Sequence, residues 1–464
     1  MKKYISRHIV HFILLLIPVA VITVSCESFV DAGPPKSQLS GEVVFNDIAT
    51  ARAAIGNCYA LLCNNVMVTG GVQGITVLLG NYSDEIIPYG SGQADQAFFQ
   101  NNVTPQTPDI TAIWNSSYNL IYSLNDIIEG VEASSGISPS DREILIGEAL
   151  LMRSLLYFHL TNLFGPVPYV TTTDYTTNTR ISKTATDILY QKLEEDLTLA
   201  YDKLPESYGT SLRTTPNKSV AAALLARLYL YAGKWQLAAG KAQEVISNAA
   251  LYVLEPDMAT IFLKESRSTL WQLSPTIEGM PTLEGQSFIF TMGPPPARSL
   301  NPALVDAFET GDNRKEQWVG TVSDGESVWY YPYKYKQNTT MDVSSEYSVL
   351  IRLEEMYLIR AEARVWTGDI NSAKQDLNVI RNRAGLPNTT ATTPSGLSNA
   401  IREERRFEFF CEQGHRWFDL KRMNVADSML SQSKPGWNPT DILWPLPQNE
   451  LLLNPALLPQ NSGY

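Results

Sequence analysis

The sequence predicts a mainly α-helical protein built from stacked helical hairpins that form one body, with irregular loops and short strands laid over it. Three observations lead there. Ser219 to Asn248 carries Ala226, Leu230, Gly233, Trp235, Ala238 and Val245, and Arg352 to Arg383 carries Ala361, Val365, Gly368, Ile370, Ala373 and Ile380 at the same relative offsets. Several other long segments repeat apolar residues at helical spacing and end at Gly or Pro. Residues 265–345, in contrast, are rich in Pro, Gly, Trp, Tyr and Thr and hold no helical period. A helix, a glycine turn and a second helix, with small residues where the two must approach, is the tetratricopeptide arrangement of about 34 residues, which buries its apolar face only by stacking on another copy.

In chain order, Lys2, Lys3 and Arg7 precede an apolar run from Phe12 to Ile22. That run is short of the about 20 apolar residues a bilayer span needs and suits an export signal over residues 1–25. Val24 and Ser25 lead into Cys26, the small-residue context in which a cysteine is lipidated and becomes the new N-terminus, although Thr23 stands where Leu is usual. An ordinary signal peptide with a nearby cysteine is the alternative. Residues 26–40 read as a tether and residues 41–464 as a single folded domain. Asp47 caps a helix with Ala51, Ala54, Ile55, Cys58, Tyr59 and Leu62 on one face. The Gly-rich stretch 69–109 reads as functional loop. Helices follow over 110–131, over 141–164 (stopped by Gly165, Pro166 and Pro168) and over 185–204. Short strands are expected at 269–273, 287–292 and 327–336.

Composition excludes several functions. The chain has 464 residues and a net charge of −12, and removal of residues 1–25 leaves 33 basic against 48 acidic residues, a net of −15. Nucleic acid is therefore not an expected partner. Cys58, Cys63 and Cys411 read as small buried apolar side chains. Only His159 and His415 outlast processing, and neither has metal-ligand spacing to another His or Cys, so no metal or other cofactor is expected beyond the lipid on Cys26. No phosphate loop, nucleophile elbow or zinc motif is present. Glu403 and Glu408 invite a paired-carboxylate glycosidase reading, but helix-borne ion pairs fit their cluster better, and the protein is not expected to be an enzyme.

Aromatic residues in irregular segments are the stronger lead: Tyr82, Tyr89, Phe98, Phe99, Trp318, Trp329, Tyr330, Tyr331 and Tyr333. A sugar ring stacks an apolar C–H face on an aromatic plane while its hydroxyls seek groups such as Asp84, Asn81 or Arg314. The expected ligand-binding set is Tyr82, Asp84, Tyr89, Phe98, Phe99, Trp318, Trp329 and Tyr331, within the ligand regions 69–109 and 265–345. Packing against a core beneath the same loops is the competing reading for each ring.

The start SCESFVD, the stretch GEALLMRSLLYFHLTNLFGPVPY at 147–169 and the segment ALLARLYLYAGKW from Ala223 resemble the SusD/RagB family of Bacteroidetes outer-membrane lipoproteins. So do RLEEMYLIRAEA at 352–363, DLNVIRNRAG at 376–385, ERRFEFFCEQGHRWFDLKR at 404–422 and the closing LPQNSGY. The resemblance implies a lipid-anchored nutrient-binding protein at the outer membrane, facing the cell exterior. It would capture oligosaccharide and pass it to a SusC-like TonB-dependent transporter, without catalysis; RagB-like members bind peptides instead. The chain is short for that family, and 69–109 lacks the Trp expected of a starch binder.

Overall fold

Helix formation begins where the sequence places its first cap. The computed structural model describes residues 44–464 except Ser91, so the signal segment 1–25, Cys26 and the tether to residue 40 lie outside the described residues. Asp47 Oδ1 accepts from Ala49 N at 2.8 Å and Thr50 N at 3.2 Å, opening α1 (Ile48–Asn64), which buries Ala51, Ile55, Cys58 and Leu62. Further helices of eight or more residues are α2 (Ile75–Tyr82), α3 (Pro108–Ala133), α4 (Pro139–Phe164), α5 (Thr186–Lys203), α6 (Lys218–Tyr231) and α7 (Trp235–Ser247). After a long excursion come α8 (Leu353–Trp366), α9 (Ile370–Arg383), α10 (Pro394–Glu408) and α11 (His415–Arg422). Residues 45–464 form one compact unit.

Successive helices pack as antiparallel neighbours from α3 to α7, and α8 then packs on α7 as though nothing intervened. The two sequence repeats are thus α6–α7 and α8–α9, in direct contact through α7 and α8. Their small residues serve the close approach: Ala226, Ala238, Ala361 and Ala373 are all fully buried. Both turns end in the same way. Gly233 (φ +69°) and Gly368 (φ +86°) take the left-handed conformation, and the next amide reaches back five residues, Lys234 N to Tyr229 O and Asp369 N to Arg364 O, both at 2.9 Å. This closure satisfies carbonyls the helix leaves open, and only glycine adopts it without Cβ strain. α4 is long and apolar enough to cross a membrane but is the core helix of the stack, buried continuously from Leu145 to Phe164. Cys58, Cys63 and Cys411 are buried free thiols.

The region 69–109 departs from the loop expected there. It contains α2, buried at every position, the strand β1 (Ile86–Pro88) and a short helix Gln93–Phe99. A helix buried on all sides shows no polar face, so it carries no period for a reader to detect. In the excursion, β2 (Thr269–Leu273) forms where expected, followed by β3 (Arg298–Leu300), β4 (Val319–Ser323), β5 (Val328–Pro332) and β6 (Ser348–Arg352). All pair antiparallel in two-stranded ladders, β1 with β3, β2 with β6 and β4 with β5. In place of the strand expected at 287–292 the chain ends a short helix, Leu283–Phe288, that Thr282 caps, and continues without regular structure through 289–292.

A buried charge network joins the excursion to the stack. Arg314 bonds Asp312 at 2.8 Å, Glu404 at 2.7 Å and Glu408 at 3.2 Å. Glu408 also receives Arg352 and Arg383, while Arg352 grips Glu412 through two bonds of 2.9 Å. Burial opposes ionisation of Glu408, yet Arg383, Arg352 and Arg314 together hold its carboxyl well below the usual glutamate range. It is therefore a fixed anion, unsuited to acid catalysis, and Glu403 lies apart, paired with Arg402 and Arg406. The ion-pair reading of this cluster is the one the structure supports.

Removing that anion strands several buried guanidinium groups. Glu408→Gln is expected to cost about 3–5 kcal/mol of stability at neutral pH, read from denaturant unfolding. Because the folded value is depressed, the stabilisation is complete above the ordinary glutamate value of 4.5 and is lost as pH falls below it. The gap between wild type and variant should close in acid; a gap independent of pH would contradict the assignment.

Candidate functional site

Three of the expected ligand rings are core residues. Tyr82 ends α2 with no exposed surface; its hydroxyl donates to Asp441 O at 2.8 Å and its ring packs edge-on against Phe98, Trp417 and Trp444. Phe98 is equally sealed within that aromatic knot. Trp318 is fully buried, with Nε1 donating to Met258 O at 3.1 Å and its ring against Phe262. None has a free face for a sugar, because segments distant in sequence close over each. Asp84 is also committed: Arg416 grips its two oxygens at 2.7 Å each. Burial works against that charge, but Arg416, helped by Arg406, lowers the Asp84 pKa to about 2. Arg314 belongs to the buried network.

The other four lie nearer the surface. Phe99 is half-buried beneath the Lys434 ammonium, 4.0 Å from its ring centre. Tyr89 is half-buried, and its amide donates to Ala297 O, tying it to the chain after the proline run. Strand alternation puts Trp329 and Tyr331 on one face of β5, while Tyr330 packs toward the core. Trp329 keeps only 9% exposure because the chain crosses it at Gly293, where a Cβ would fall 1.9 Å from the ring. Tyr331 lies over its cross-strand partner Gly320, whose Cβ would fall 2.1 Å from the ring. Phe290 and Tyr333 brace Tyr331 at centroid distances of 5.1 and 5.5 Å. Tyr331 is thus a half-buried ring held in one orientation from below and from two sides.

Beside this ladder runs an open groove of about 540 Å³. One wall is the C-terminal end of α1 and the 69–73 turn; the other is the short helix Leu283–Phe288 and the segment after it, including Phe290. Ser287 Oγ donates to Gly70 O at 2.9 Å and ties the walls together. Asn64, Asn65, Gln73 and Gln286 line it and are solvent-exposed, as is the apolar Val72. Arg298 underlies it, nearly buried, bonded to Asp95 and to Ser287 O at 2.8 Å each. Amides both donate and accept, as paired sugar hydroxyls require, and Phe288 and Phe290 supply apolar wall. Sequence reading missed these four amides, since isolated Asn and Gln carry no periodic or spacing signal. The doublet Asn64-Asn65 at a helix end beside Gly70-Gly71 was the one local cue.

Among the described residues, no three His, Cys, Asp or Glu side chains gather as a metal site. His159 and His415 are core side chains; burial first, then Arg227 for His159 and Arg405 for His415, pushes both pKa values down, that of His159 to about 3.

Fold and groove together define a tetratricopeptide-like repeat protein with an open, amide-walled cleft beside an aromatic ladder. Residues 311–464 match the SusD family, and residues 76–230 match a family described as starch-binding and associating with the outer membrane. SusD-like protein P2 of Formosa agariphila is 28% identical, with 100% of both chains covered, and SusD-like protein P25 of the same organism is 24% identical over 95% of this chain and 97% of that one. A SusD superfamily structure from Bacteroides vulgatus superposes with a TM-score of 0.77 at 20% identity, covering 90% of this chain and 99% of that chain. A laminarin-binding SusD-like protein does so with a TM-score of 0.75 at 23% identity, with 90% and 99% covered. Both family matches, the curated relatives and the solved structures support a SusD/RagB family protein.

The burial of Tyr82 and Trp318 sets an expectation opposite to that of a ligand ring. Tyr82→Ala and Trp318→Ala should each lower unfolding free energy by about 3–5 kcal/mol, measured by chemical denaturation. Unchanged stability in both would mean these rings are not packing residues.

Proposed function

We propose that the protein is a cell-surface nutrient receptor that captures an oligosaccharide in the groove and hands it to a SusC-like TonB-dependent transporter, without breaking bonds. Lipid on Cys26 would hold it at the outer membrane, with residues 41–464 acting as one binding body. The observation that carries this reading is the groove itself: exposed amides on both walls, and Phe290 connecting one wall to the braced Tyr331 ring. The matches to the SusD family, the description of the second matching family as starch-binding and outer-membrane associated, and a structural neighbour that binds laminarin all support it. Of the rings first considered, Tyr331 is the stacking platform, with Tyr89, Phe99 and Trp329 as secondary candidates. The commitment of Glu408 to three arginines supports a role without catalysis.

Calorimetric titration with soluble oligosaccharides tests the capture step. Tyr331→Ala should lose about 1–3 kcal/mol of affinity, the scale of a truncated aromatic anchor, with little change in thermal stability. Gly320→Ala should weaken binding as well, because its added methyl pushes the ring off its seat. Wild-type affinity in both variants would remove Tyr331 from the site. The anchor is tested separately: Cys26→Ser should abolish incorporation of labelled fatty acid and move the protein from the membrane to the soluble fraction, and full membrane retention without label would refute the lipidation assignment.

A further inference from the structure

Charge around the groove narrows what it can hold. Among the described residues its lining contains no Asp or Glu, and Arg298 is the one cation there. That guanidinium is 6% exposed and already spends Nη2 on Asp95 and Nη1 on Ser287 O. On the neighbouring ladder, the Lys336 ammonium is taken up by the carbonyls of Gln317 and Tyr333. The exposed turn of the β4–β5 hairpin adds Asp324 and Glu326, and the chain as a whole carries −12. A uronate or sulfate group brought here would lose hydration and meet no accessible cation among the described residues, on a chain of net negative charge. A charged peptide terminus would likewise find no free counter-charge in the lining. Recognition of carboxylate or sulfate calls for an accessible bidentate arginine or a bare ammonium; the two terminal nitrogens of Arg298 are bonded and its unpartnered Nε is buried, while the Lys336 ammonium is taken up by carbonyls. What remains exposed is Asn64, Asn65, Gln73 and Gln286; Asn64 Nδ2 donates to Ala60 O and Thr276 Oγ1 and Gln286 Nε2 to Pro281 O, so these two offer chiefly their amide oxygens to hydroxyls, without charge.

We infer that the groove selects a neutral oligosaccharide, one without uronate, sulfate or other ionised substituents. This rests on the glycan reading given above. The test is affinity electrophoresis and calorimetry of the purified protein against neutral polymers (laminarin, mannan, xylan) and anionic ones (polygalacturonate, alginate, a sulfated galactan). At least one neutral polymer should bind, with affinity changing less than about twofold between about 50 and 500 mM NaCl, because no ion pair is there to be screened. Asn65→Ala and Gln286→Ala, both at exposed positions, should each weaken that binding up to about tenfold. Tighter binding of an anionic polymer, or a loss of about tenfold or more across the same salt range, overturns this inference and leaves glycan capture standing. Silence toward every polysaccharide, or binding of peptides alone, overturns the capture reading itself.

Discussion

The structure depends on charges taken out of water. Arg314, Arg352 and Arg383 converge on Glu408 at the end of α10, and Glu404, Glu354 and Glu412 complete the alternation of sign. Burying any one of these ions alone would cost several kcal/mol; they are tolerated because each finds an opposite charge and good hydrogen bonds. The geometry matters more than any net gain. Arg352 is the last residue of β6 and the cap position of α8, so the network fixes where the excursion re-enters the stack. Lys334 adds a bond of 2.8 Å to Glu408 O, and Arg314 precedes Trp318 by one helical turn. Both ends of the β4–β5 hairpin are thereby pinned to α10, and with them the strand that carries Tyr331.

Positioning of the site follows from that pinning. β4 starts directly after the buried Trp318, and the ring of Tyr331 can settle only because Gly320 opposite it has no side chain. The second wall of the groove is tied to the first by the bond from Ser287 to Gly70, and β3 behind it is paired with β1. Rigid elements thus hold both walls while the amides at their rims stay exposed to solvent. Exposed amides are inexpensive to desolvate compared with charges, which suits the capture and release proposed for this groove.

Much of the helical frame was legible in the sequence. Asp47, Gly165 and the glycines at 233 and 368 mark ends that the structure places at the same residues, and the shared offsets of the two repeats foretold hairpins that stack. What stayed hidden has a common cause. α2 is buried all round and has no polar face to reveal its period, so it read as loop. Tyr82 and Trp318 lie in irregular sequence, and what covers them comes from residues such as Asp441, far along the chain. Local sequence shows that a ring is flanked by turn residues but not that a distant segment seals it. The same limit concealed the groove, whose four amides come from two regions more than two hundred residues apart.

The direct packing of α7 on α8 makes residues 249–352 a cassette. Removal of its tip would leave the flanking hairpins still in register, so this insert is free to vary in length and lining while the solenoid persists. The freedom ends at a few rivets, Arg314 and Lys334 above all, whose loss would unclip the insert from α10. A frame clipped in this way tolerates change in the one groove wall that the insert carries, residues 283–298, while the other wall, at the end of α1, stays with the stack.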